Sequence, residues 1–162
     1  MGTVIDWITN TPVSWFVTHY RWVWPASEAL HFCGLVLMVG TVGMFDLRVL
    51  GVGKGIAPAT LHRLLRWGLA GFAVSVLTGA LFIAGTPDQY FYNAAFKLKV
   101  VFLLLLGLNV LLFYSLEFRQ INALAPHDDA PARAKWMAAG SLTMLVAIMC
   151  CGRMLTFFRP PF

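Results

Sequence analysis

"FKLKVVFLLLLGLNVLLFYSLEF", residues 96–118, decides the fold class of this chain. From Val100 to Leu116 it carries no charge. A helix crossing the roughly 30 Å hydrocarbon core of a bilayer takes about 20 such residues. Three further stretches have the same character. "ASEALHFCGLVLMVGTVGMFDLRVL" starts at Ala26, "LLRWGLAGFAVSVLTGALFIAG" at Leu64 with a helical lead-in after Pro58, and "WMAAGSLTMLVAIMCCGRMLTFF" at Trp136. The breakers fall between them, in "GVGKGIAP", "GTPDQYFYN" and "ALAPHDDAPA". The expectation is an all-α, integral membrane four-helix bundle, one domain over 1–162, with spans near 26–50, 59–84, 95–118 and 134–158. Residues 1–24, rich in Trp, Tyr and Phe ("VSWFVTHYRWVWP"), are expected to lie in the headgroup layer with a short interfacial helix.

Composition agrees. The chain is 59% hydrophobic and only 12% charged, with mean hydropathy +0.75, which excludes an ordinary soluble domain. The net charge of +5 is not a nucleic-acid signal, because much of it flanks apolar segments, where Lys and Arg set topology and meet lipid. Arg48, Lys54, Arg63, Arg66, Arg119, Arg133 and Lys135 fall on the side of the first and third loops. Arg21, Lys97, Lys99, Arg153 and Arg159 fall on the other. The positive-inside rule then predicts a bacterial inner membrane protein with both termini periplasmic. The start "MGTVIDWITNTPVSW" has no basic region and no small-residue cleavage site, so the first span is expected to drive insertion itself. Cys33, Cys150 and Cys151 all lie in apolar runs. Neighbouring helical positions point about 100° apart, so Cys150 and Cys151 are poor partners for each other.

Ionisable residues inside spans are expensive, at about 2.5–3.5 kcal/mol each on insertion scales, and mark function by default. Antiparallel threading brings several to one level. Glu28 and His31 lie about a turn inside the first span, Lys97 and Lys99 open the third, and Arg153 lies near the end of the fourth. Glu28 and His31 share a face, with Asp46 about five turns below Glu28. Lys97 and Lys99 are about 200° apart, so one alone can face inward, and alignment with Leu106 and Asn109 favours Lys99. Gly34 and Met38 continue the His31 stripe. Gly68, Gly71, Ser75 and Gly79 make a small-residue stripe in the second span, a packing device that would also admit a flat macrocycle.

These residues together suit b-type haem. Neutral His31 would bind iron through one ring nitrogen, with Glu28 holding the other. Lys99 and Arg153 would neutralise propionates. His19, a methionine such as Met149, or no residue would fill the sixth position. His62, on the order of 20 Å from His31, cannot share its iron. With Asp46, Arg48, Arg63 and Arg66 it is expected to form an inner basic cluster meeting lipid phosphates. A second expectation is copper handling by His31 with Met and Cys side chains. A third is a non-catalytic membrane subunit whose ionic cluster fixes a partner.

On "WPASEALHFCGLVLMVG", "DLRVLG", "TGALFIA", "YNAAFKLK", "GLN" and the late "CGR", the chain resembles a bacterial four-helix integral membrane family of unknown function. The matched positions are Glu28, His31, Gly34, Asp46, Arg48, Gly51, Thr78, Gly79, Asn93, Phe96, Lys99, Asn109, Gly152 and Arg153. At longer range it is similar to HemJ-type protoporphyrinogen oxidases, through His31, Lys99 and Arg48, and to CopD membrane domains and four-helix b-type cytochromes in layout. The HemJ likeness implies an oxidoreductase, although the later Asn-Glu motif of that family is missing here. Haem b with His31 as axial ligand, electron transfer between membrane quinol and a periplasmic redox protein, and a possible homo-oligomer are the resulting expectations.

Overall fold

In hydrocarbon a segment must satisfy its own backbone N–H and C=O groups, so each long apolar run becomes a helix. The computed structural model describes residues 2–157 and contains, among them, nine helices and no strand. α1 (Gly2–Thr9) and α2 (Pro12–His19) stand where one short interfacial helix was expected. The break falls at Asn10 and Thr11, where Thr11 caps α2 by accepting from the Ser14 amide at 3.2 Å and Pro12 takes a position that needs no N–H. Trp7, Trp15, Tyr20 and Trp22 are exposed, as an aromatic belt requires.

The four spans are those the sequence predicts, with shifted ends. α3 (Val23–Leu50) starts earlier than 26, since Pro25 is tolerated in a first turn. It stops at Gly51, whose φ of 105° is left-handed; the Val52 amide reaches back to the Leu47 carbonyl at 2.9 Å. α4 (Pro58–His62) is the lead-in to α5 (Leu65–Gly85). A short α6 (Pro87–Phe91) occupies the loop read only as breakers. α7 (Ala94–Leu116) ends before 118, α8 (Phe118–Asn122) follows, and α9 (Ala132–Met154) ends before 158. Position 158 and Arg159 lie outside the described residues. These four helices, α4 and α5 counted as one, are long and apolar enough to span a bilayer, and the chain is a multi-pass membrane protein.

Packing follows the small residues. α3 and α5 cross most closely, and a Cβ added at Gly34 would lie 2.7 Å from the Gly71 carbonyl oxygen and 2.7 Å from Ser75 Oγ. One added at Gly68 would strike Thr41 Oγ1. α9 buries Ala134, Ala138, Ser141, Leu145 and Ile148, a seam of alternating three and four residues, against α3 and α7. α5 and α7 make no substantial contact. α2 docks on the end of α5, where a Cβ on Gly85 would come 2.8 Å from Val17 Cγ1.

The buried apolar core (Phe45, Val49, Leu61, Ile121, Ala130, Ala134 and Ala138) gathers at the end that carries loops 51–57 and 123–131, called here the loop end. Arg48 is 1% exposed within it. Its Nε donates to the Ile56 carbonyl at 2.6 Å and its Nη2 to those of Ala125 and Asp128, each at 3.4 Å. Thus Arg48, expected among lipid-facing cations, instead ties the two loops together. Lys54 pairs with Asp129 across those loops at 3.1 Å, Lys135 at the start of α9 joins the same carboxylate at 2.8 Å, and Arg133 reaches the nearly buried Glu117 at 3.3 Å.

Candidate functional site

At the opposite, terminal end, three helices converge on His31. The small residues of α5 let α3 approach until the imidazole Nδ1 sits 2.8 Å from Thr78 Oγ1. Thr78 also contacts the Val74 carbonyl at 2.7 Å. A threonine hydroxyl has one proton, and a carbonyl can only accept, so that proton goes to Val74 and Thr78 must accept from His31. On that assignment the imidazole is the Nδ1–H tautomer, and Nε2 has no side-chain partner among the described residues, while the Ser75 backbone also bears on the ring. The ring stands edge-on to Phe82 at 5.6 Å between centroids. Ser75 Oγ, one turn from Thr78, is buried without a hydrogen-bond partner among the described residues.

Lys99 comes from α7. It is partly buried while Lys97 is exposed, the choice helical angles predict. Its ammonium lies 3.8 Å from where a Cβ on Gly152 would stand, and its charge bears on the imidazole. Asn93 fixes this end: its Oδ1 accepts from the Ala95 and Phe96 amides at 2.9 and 3.4 Å, capping α7, and its Nδ2 donates to the Leu155 carbonyl at 3.0 Å. Sequence reading matched Asn93 without giving it this role.

Other expected members stand apart. Glu28 is exposed with neither hydrogen bond nor ion pair among the described residues, so Thr78, not Glu28, holds His31. The Arg153 side chain is exposed. His19 is stacked on Trp15 at 4.5 Å in α2, and Met149 is exposed. Gly34 is consumed in the α3–α5 crossing, leaving no slot there for a flat ring. Among the described residues no group of three His, Cys, Asp or Glu side chains converges as a metal site, and all three cysteines are free thiols.

Asn109 belongs to a second place. Because α5 and α7 stay apart, a cleft of about 960 Å³ opens between them in the loop-end half of the bundle, backed by α3 and α9. Its walls are apolar, but Asp46, Ser141 and Asn109 line the back and His62, Arg63 and Arg66 one end. His62 Nε2 lies 3.0 Å from the Tyr114 hydroxyl. The sequence placed Asp46 on a shared stripe with Glu28; the structure buries one and exposes the other.

No family model, no curated protein and no solved structure matches this chain.

Proposed function

We propose that this multi-pass membrane protein is a b-type haem protein of electron transfer, with His31 as axial ligand. One observation carries the reading: His31 Nδ1 lies 2.8 Å from a Thr78 hydroxyl that already donates to Val74, so Nδ1–H donates to Thr78 and Nε2 is left for a metal. Metal-bound imidazoles use the same device, an N–H held by an oxygen so that the other nitrogen points its lone pair at the metal. The donor chemistry therefore fits haem iron, and Lys99 suits a propionate carboxylate. The group itself would supply a one-electron couple. The chain's part is to hold the tautomer through Thr78, to keep the imidazole among apolar neighbours such as Phe82, and to offer one cation from α7. The face for the ring is not the closed α3–α5 crossing. Electrons would come from membrane quinol and leave to a periplasmic redox protein. The excess of basic residues at the loop end supports a cytoplasmic loop end in a bacterial inner membrane, with the terminal end periplasmic.

The test is the visible spectrum of protein purified in mild detergent after haem-supplemented expression, oxidised and then reduced. A Soret band with a sharp reduced α band, lost in His31→Ala, is the expected result. A colourless protein, or an unchanged spectrum in His31→Ala, would refute the assignment. Stoichiometric copper in a colourless sample would transfer His31 to copper handling.

A further inference from the structure

The loop-end cleft contains an unmet demand. Asp46 is 7% exposed, and its Oδ2 is buried with no hydrogen-bond partner among the described residues. The Ser141 hydroxyl is the donor beside its carboxyl group. In its ionised form the carboxylate has only acceptor positions, and the free oxygen then calls for a donor from outside the chain. Asn109 repeats the demand from the facing helix. Its Nδ2 donates to the Met137 carbonyl at 3.0 Å, which fixes the amide orientation and leaves Oδ1 without a partner among the described residues. Asn109 and Asp46 are anchored to α9 through Met137 and Ser141, four residues or roughly 6 Å apart along the axis. That is about one helical turn, which puts both acceptors in the same stretch of the cleft.

The rest of the cleft says what carries those hydroxyls. It opens sideways between α5 and α7, which make no substantial contact, so entry is from the bilayer. Phe72 and Phe113, on α5 and α7, give flat apolar walls. About 960 Å³ accommodates an aromatic head with the first part of a hydrocarbon tail.

From this juxtaposition — a buried acceptor on α3 and a half-buried one on α7 facing a lipid-open, aromatic-walled cleft — we propose that the cleft binds a membrane hydroquinone. Its two hydroxyls donate to Asp46 Oδ2 and Asn109 Oδ1, and its tail leaves between α5 and α7. The site gives the quinol partner of the proposed function a location. It rests on that reading for the partner alone and needs no haem, so binding can be measured whatever the colour of the protein. A quinone, which has acceptors where the hydroquinone has donors, meets Asp46 and Asn109 unfavourably.

The test is anaerobic calorimetry of the full chain in detergent, with decylubiquinol as probe and decylubiquinone and phosphatidylglycerol as comparisons. Saturable one-to-one binding of the quinol is expected, about tenfold or more tighter than the quinone, from the net worth of one or two hydrogen bonds. Asp46→Leu should weaken it by about tenfold. Leu106→Trp, on the cleft wall of α7, should weaken it about tenfold or more by crowding the ring's place; because α7 faces lipid there, this variant tests the site even if Asp46→Leu does not fold. No saturable binding, equal affinity for the quinone, binding intact in Leu106→Trp, or displacement by phosphatidylglycerol would each overturn the proposal, the last by making this a phospholipid site held by Arg63 and Arg66.

Discussion

Arg48→Met removes a guanidinium while keeping most of the stem that fills the loop end. In the parent, one short bond at 2.6 Å reaches Ile56 and two long ones at 3.4 Å reach Ala125 and Asp128. A hydrogen bond to a charged group contributes about 1.5–3 kcal/mol; taking about 2 for the short bond and ~0.5 for each long one gives about 3 kcal/mol. Nη1 has no partner among the described residues, which offsets some of this and places the estimate at the cautious end. The loss should be local, because Arg48 connects loops 51–57 and 123–131, not spans. The amide to watch is His127, which donates to the Lys54 carbonyl at 2.7 Å and joins the same two loops. About 3 kcal/mol in local opening corresponds to roughly 100-fold faster hydrogen exchange there. Amides in the middle of α3 should exchange as before. The assay is hydrogen exchange by NMR in micelles. If His127 in Arg48→Met exchanged within about threefold of the parent rate, the clamp would not be holding the loops.

Gly71→Val should drive α3 and α5 apart, since a Cβ at 71 would lie 2.5 Å from the Gly34 carbonyl oxygen; a loss of about 3 kcal/mol is expected in detergent unfolding. Gly40→Ala, with nothing near its added Cβ, should instead be neutral or gain up to ~1 kcal/mol. The His31 imidazole should give the ¹⁵N shifts of the Nδ1–H tautomer in haem-free protein, and Thr78→Val should abolish that preference; an Nε2–H signature in the parent would contradict the Thr78 assignment. Hydrogen bonds from Lys135 and Lys54 hold the exposed Asp129 carboxyl down to about 2. A lowered folded value means that the stabilising effect is complete above the unfolded carboxyl range, near pH 4, and is lost as pH falls towards 2. Carbon-detected titration should show that midpoint, moving up in Lys135→Ala.

Spans were legible because hydropathy is all that a bilayer demands of a helix. Charge spacing was legible wherever one angle decided it: Lys99 turns in and Lys97 out, as 100° per residue requires. Which apolar face packs was not legible. Val100, Leu104 and Leu108 on α7 look like core in sequence but are exposed, because a helix that is apolar all round carries no periodic mark of its neighbours. The open α5–α7 side, and with it the cleft, is invisible for that reason. Glu28 misled for the opposite reason. It is three residues from His31, yet near a span's end a carboxylate can turn to the headgroups at little cost, so shared face did not mean shared site. Arg48 reads as one more loop-side cation, and only the carbonyls of Ile56, Ala125 and Asp128, up to 80 residues away, reveal its work. Thr78 was noticed only as a matched position, for nothing local marks a threonine that will meet an imidazole 47 residues distant.

The want of substantial contact between α5 and α7 also bears on how the molecule is made. α3 with α5, and α7 with α9, are each antiparallel pairs of consecutive spans in close contact, and α3 with α9 is the principal join between the pairs. A ribosome emits such a chain as two self-contained insertion units. The first can close over its glycines before the second has left the translocon, and the loop-end ties from Arg48 and Lys54 to residues 125–129 form only when the second arrives. Assembly then reduces to one late docking event, and a chain cut between Asp88 and Tyr92 should still assemble from its two co-expressed halves.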